Sequence, residues 1–395
     1  MMISGKKIFL LLPVILCIFT SMAQDEIIRT LMKRGFPLDY AEKLAVLQKK
    51  YPNWHFEPLP VTELNPQYTW EYVLYMETDK EPSRSLISGK KEFAGYFHPT
   101  DLSSYDSGCR RASKEAVAYF LDPRNFLNER DIFQFRNLRH KNKVPLRVIK
   151  FALRNTFMEK EKLENGMTYY KFLARLGSYF HIDPLFLASR LRQEQGIKGT
   201  PLVSGKCGTL LQNMEQTSSK KSDLFSQNWL LKKIDEHNYL QYDGLYNFFN
   251  INASGDGVFT IYFNGMKEAQ KGTPEMAEKW GSPQWNTRWK AIFGGTLKIA
   301  RLYVYNHQNT IYLQKWNVDF RSRTTQGTSR NFWGQYMQNI GAAFSESCNT
   351  WRTLKKHRQL KYPQHFIIPV YSGMPPLPCP DPAKGKCIYY RQFGM

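Results

Sequence analysis

Residues Asp183 to Gly196, DPLFLASRLRQEQG, define one short helix at both ends and constrain the chain more than any other stretch. Asp183 is a good N-cap, Pro184 takes the first helical position where its missing N–H costs nothing, and Gly196 suits the position just past the end. Leu187, Leu191 and Glu194 recur at i, i+4 and i+7, on one face. The leucines must face a core, so Glu194 continues a buried stripe at the helix C-terminus. Partial burial and the negative end of the helix dipole both disfavour the carboxylate, which raises its pKa as a general acid near neutral pH requires. The bland alternative is a glutamate paired with a nearby arginine. The stretch that follows, GIKGTPLVSG, is rich in glycine and small residues and suits the border of a cleft.

A second segment, GLYNFFNINASGDG at Gly244 to Gly257, interleaves Tyr246, Phe248 and Ile251 with Asn247, Asn250 and Asn252. Flat apolar faces beside amides suit sugar rings and their hydroxyl and N-acetyl groups. The alternative is a buried turn whose asparagines cap local backbone. Further on come WKAIFGG from Trp289, opening a helix to about Tyr305, then TIYLQKWN from Thr310 and QYMQN at Gln335 to Asn339.

The chain has 395 residues, enough for one large domain or two ordinary ones, and 42% hydrophobic against 23% charged residues marks it as globular. Lys and Arg total 55 against 34 acidic residues, a net charge of +21. That excess points to a polyanionic partner. Lys6 and Lys7, the apolar run Ile8 to Phe19 and the small-x-small site Ser21-Met22-Ala23 read as a cleaved secretory signal over 1–23, with no stable membrane insertion afterwards. Without its two lysines the mature chain carries +19. Nucleic acid is then an unsuitable partner, and an anionic wall polymer a suitable one. No C-x-x-C pair exists, so no structural zinc site is expected; no other metal and no cofactor are expected. Cys379 and Cys387 flank a short Pro-containing turn and are expected to pair. Oligomeric state is left open.

Three regions follow. Residues 24–165 read as an N-terminal helical segment, with a helix over Asp39 to Lys50, a short strand over Trp54 to Leu59 and a helix over Ala112 to Leu121. The basic run Arg136 to Lys150 reads as a solvated loop and helix face. Residues 166–347 hold the chemistry. Residues 348–395 read as a basic, Pro-rich tail, an extended strap or loose end rather than a domain.

In this order, SRLRQEQG, LVSG (Leu202 to Gly205), YNFFNI, AIFGGTLKIA (Ala291 to Ala300), TIYLQKWNV and QYMQNI resemble the glucosaminidase domain of glycoside hydrolase family 73, found in bacterial autolysins. KKYPNWHFEPL at Lys49 to Leu59 and the run from Ala112 to Phe135 resemble a segment preceding that domain in some wall hydrolases. The resemblance implies an α+β, mainly helical fold: a lysozyme-like, two-lobed catalytic domain around a glycan cleft, with the N-terminal segment packed on it. It implies hydrolysis of the β-1,4 bond after N-acetylglucosamine in peptidoglycan, outside the cell or in its envelope. Glu194 falls on the family's acid and Tyr336 on its active-site tyrosine. Tyr246, Asn247, Phe248, Asn250 and Gln335 would contact the glycan. The departure from the pattern is an insertion between Lys206 and Tyr242. A second carboxylate there would be one of Glu215, Asp223, Asp235, Glu236, Asp243 or Asp256, and no motif selects among them. A muramidase, a lytic transglycosylase and an inactive basic wall-binding protein remain as alternatives.

Overall fold

The computed structural model describes residues 24–105, 108–139, 144–219, 238–255 and 257–383. The expected signal at 1–23, residues 220–237 of the insertion and the Cys379–Cys387 pairing, through Cys387, lie outside the described residues. The principal elements are helix α1 (Leu38–Lys50), strand β1 (Trp54–Pro60), α2 (Trp70–Thr78), β2 (Leu86–Ser88), β3 (Cys109–Arg111), α3 (Lys114–Leu121), α4 (Leu146–Ala152), α5 (Tyr169–Phe180), α6 (Pro184–Gln195), α7 (Cys207–Ser219), α8 (Gly257–Lys271), α9 (Arg288–Ile299), α10 (Ile311–Trp316), α11 (Ala342–Lys356) and β4 (Gln364–Val370). The fold is α+β and mainly helical, with two small two-stranded sheets. No helix among the described residues is long and apolar enough to cross a membrane.

One continuous core runs from Leu31 to Cys379 and takes side chains from all three regions. Of the two expectations for residues 348–395, the packed segment matches an extended strap and not a loose end. β4 pairs in parallel with β1, Trp54 opposite Gln364 through Pro60 opposite Val370, and buries Phe366 and Ile368 completely. Its residues Phe366 to Pro369 form a continuous buried run, and Pro363 just before it and Pro369 within it obscure the strand in the sequence. α11 crosses the expected boundary at residue 347. The basic run is corrected at its first residue: Arg136 is buried, bonded to Asp183 and, over 2.8 Å, to Gln364. It ties the start of α6 to β4.

α6 has the ends its sequence specifies. The Asp183 carboxylate accepts from the Leu185 N–H at 2.9 Å, and Gly196 closes the helix at φ +60°. Two glycines allow the close packing around it. A Cβ on Gly177 in α5 would stand 2.8 Å from the Ile182 carbonyl oxygen and from the Pro184 ring. A Cβ on Gly295 in α9 would stand 2.4 Å from the Phe249 ring, so α9 approaches the 246–252 loop as only glycine permits.

Candidate active site

The last turn of α6 presents Glu194, half-buried, to two other segments. The first is the Tyr246–Asn252 loop. Asn250 sits there in the left-handed region at φ +50°, a conformation asparagine tolerates better than most residues. Its amide N–H donates to Glu194 Oε2 at 2.9 Å and to the Glu194 carbonyl oxygen at 3.3 Å. Gln195, buried beside it, fixes that amide by donating to Asn250 Oδ1 at 3.1 Å and to the Phe248 carbonyl at 2.9 Å. The second segment follows α10. The Tyr336 backbone N–H donates to the Gln314 carbonyl at 2.8 Å. Its hydroxyl lies 2.9 Å from the Phe249 carbonyl and 3.4 Å from Glu194 Oε1.

Beneath these groups lies a fully buried ion pair. Arg190, one turn before Glu194, donates from Nε to Glu346 Oε2 at 2.9 Å and from Nη2 to Gln314 Oε1 at 2.8 Å. Its guanidinium stacks 4.0 Å from the centre of the Tyr336 ring. Arg190 Nη1 and Glu346 Oε1 have no hydrogen-bond partner among the described residues.

Burial pushes the Glu194 carboxyl up from its usual range to about 7. The Arg190 charge opposes that rise, Glu346 adds to it, and the bonds from Asn250 and Tyr336 oppose it. Burial, and then the Glu194 charge, hold the Tyr336 phenol well above its usual value, so it stays protonated and able to donate. A carboxyl near 7 is divided between its acid and its base form at neutral pH, the state from which proton donation is efficient.

Of the residues expected to contact glycan, Asn250 stands at Glu194 and four do not. Asn247 is fully buried, its amide bonded to the Ile251 and Gly265 carbonyls and its Oδ1 to the Ile251 N–H, at 2.8 to 3.0 Å. It is a loop brace, as the capping alternative required. Phe248 is fully buried against Tyr169, with ring centres 5.9 Å apart. Gln335 gives both ends of its amide to the buried Glu77 and Lys315. Tyr246 is half-exposed but lines a separate depression of about 720 Å³, with Phe157, Lys198, Thr200, Lys206 and Arg288. The apolar and amide residues of this loop alternate between two faces, and the sequence alone does not say which face meets the cleft.

Among the candidate second carboxylates, Asp243 caps the start of α7 by accepting from the Thr209 N–H at 2.9 Å, and Glu215 accepts from the Tyr239 hydroxyl at 3.3 Å. Asp223, Asp235, Glu236 and Asp256 lie outside the described residues. Arg190, Gln195, Gln314 and Glu346 were not singled out from the sequence. Arg190 carried a signal, its spacing of four from Glu194 on a buried face. Glu346 and Gln314 carried none, because they reach the site from other helices.

No family model and no curated protein matches the chain. Among solved structures it is similar to S. aureus glucosaminidase B, at 19% identity over 81% of this chain and 94% of that one, with a TM-score of 0.44. It is similar to a major bifunctional autolysin at 15% identity over 81% and 97%, with a TM-score of 0.39. It is also similar to S. aureus autolysin E, at 14% identity over 70% and 93%, with a TM-score of 0.39.

Proposed function

We propose that this chain is a peptidoglycan hydrolase that cleaves the β-1,4 bond after N-acetylglucosamine, with Glu194 as general acid. The observation that supports it most is the state of Glu194: a carboxyl near 7, aimed by the Asn250 amide and the Tyr336 hydroxyl and backed by a buried ion pair. Protonation of the leaving oxygen is the step every such hydrolysis needs, and a positioned acid contributes about 10²–10⁴ in rate. The Asn250 amide donates to Glu194 Oε2, while the Tyr336 hydroxyl, its single proton directed to the Phe249 carbonyl at 2.9 Å, offers its oxygen 3.4 Å from Oε1, so the two contacts fix the plane of the carboxyl. The charge of +21 on the whole chain suits an anionic wall.

Mass spectrometry of fragments released from purified peptidoglycan tests the reading. Products with reducing-end N-acetylglucosamine are expected. Reducing-end muramic acid, or its anhydro form, would move the cleavage to the other glycosidic bond. Binding to the wall with no released sugar would make the chain a wall-binding protein.

A further inference from the structure

On the face of the β1–β4 pair away from the core, His55, Glu57 and His365 stand together. His55 and Glu57 are two residues apart in β1 and so point the same way, and His365 lies directly opposite His55 in the parallel register. The imidazole rings are 5.0 Å apart, centre to centre, and His365 Nε2 lies 2.7 Å from Glu57 Oε2. One donor atom from each residue lies within 4.8 Å of the others. We propose that these three side chains form a binding site for a zinc-class divalent cation, one that clamps the C-terminal strand to the N-terminal one.

The donor set selects the ion. Two imidazoles and a single carboxylate suit zinc and its late first-row neighbours, whereas calcium and magnesium require mostly oxygen ligands. Three protein ligands leave a fourth, tetrahedral position for water. Donors about 2.1 Å from a tetrahedral zinc stand about 3.4 Å from one another, so the His365–Glu57 pair, now at 2.7 Å, must open, and the donors that lie up to 4.8 Å apart must close. His55 and Glu57 are exposed and His365 half-exposed, so the adjustment falls mainly on His55 and Glu57, with His365 held 3.2 Å from the Asn137 amide through Nδ1. The surroundings are otherwise basic: Arg34 acts on His55, and Arg136 and Arg139 line the adjoining depression with both histidines. Arg136 is already committed to Asp183, and Arg139 stacks 5.0 Å over Tyr305. The like charge weakens binding of any cation held by charge alone and leaves those that imidazole nitrogen binds directly.

Titration calorimetry and thermal melts of the full chain with zinc chloride test the site, and neither measures wall hydrolysis. One zinc per chain and a melting temperature higher by a few degrees at saturation are expected. Calcium chloride should give neither. His55→Ala and His365→Ala should each weaken binding at least about tenfold and remove the thermal gain. Cys109→Ser, which removes the half-exposed thiol, should keep both. Absence of saturable binding to the unaltered chain overturns the proposal, as does binding that both histidine variants retain. Should His365→Ala fail to fold, the outcome with the exposed His55 decides.

Discussion

Two buried ion pairs lie behind the adjacent residues Gln335 and Tyr336, and they are built differently. In the first, Lys315 is surrounded by acceptors: Glu77 Oε2 at 3.2 Å, Ser85 Oγ at 3.4 Å and Gln335 Oε1 at 3.2 Å. Glu77 in turn accepts from Ser85 at 2.9 Å and from Gln335. Burial pushes Glu77 up and Lys315 down, and their mutual attraction opposes both changes. In the second pair, Arg190 and Glu346 each keep one polar atom without a partner among the described residues. Both of their charges act on Glu194. A fully bonded pair holds Gln335, the residue before the tyrosine, in place. A pair with unspent polarity, whose cation never deprotonates, sets the electrostatic field of the acid. The charges that act on Glu194 divide site from scaffold here.

The sharpest way to break this contrast is at the acid itself. Glu194→Gln keeps the shape and the Asn250 contact but has no proton to give, and should lower sugar release from peptidoglycan at least about 10³-fold with the fold intact. The same variant carries a sign in its stability. The Glu194 carboxyl moves from a usual 4.5 to about 7, so its ionisation opposes folding. Its own contribution to stability is greatest below pH 4.5 and falls as pH rises towards 7. Glu194→Gln should therefore unfold at higher denaturant than the unaltered protein at pH 8, by up to about 3 kcal/mol, and not at pH 4. A variant that is both active and unchanged in stability would remove both the acid role of Glu194 and the rise in its pKa.

Removing one cation at a time separates the two pairs. Arg190→Met and Lys315→Met should each destabilise by about 3–5 kcal/mol in denaturant titrations, because each leaves a carboxylate buried alone. Only Arg190→Met removes a charge that holds the Glu194 pKa down. Its alkaline limb of the pH–rate profile should move upward, and that of Lys315→Met should stay in place. Equal movement in both would erase the distinction.

How much of this was legible follows from where each contact comes from. The helix carrying Glu194 could be read because its cap, its proline, its apolar stripe and its terminal glycine are all local. Tyr336 and Asn250 could be placed through the order of short motifs. The sequence hid the direction of the 246–252 loop, since burial of Asn247 and Phe248 depends on α8 and α5 packing over them. It also hid Glu346 and β4, whose partners lie 156 and 310 positions away. Local patterns specify elements, whereas long-range pairing of buried charges leaves no periodicity to read.

Two smaller effects test the same division. Tyr336→Phe loses the hydroxyl bonds to Glu194 and Phe249 but keeps the ring under Arg190. Its rate should fall about 10²-fold, as when one positioned donor is removed, with little change in melting temperature. Asn247→Ala strands the Ile251 N–H and two carbonyls inside the protein, and should lower stability by about 2 kcal/mol. Its rate per folded molecule should hold if Asn247 only braces the loop.

The parallel pairing of β1 with β4 has a consequence for how the chain comes to be folded. Trp54 donates its indole N–H to the Leu360 carbonyl at 2.8 Å, across 306 positions of sequence. β1 therefore has no strand partner until nearly the whole chain has been synthesised. Closing so long a loop is entropically unfavourable and should make this pairing a late, slow event. Until then the edge of β1 is open to pairing with other chains, and its own Trp54 and Phe56 lack the cover of Phe366. A nascent chain stopped before Gln364 should accordingly bind chaperones or aggregate, even with every group around Glu194 already made.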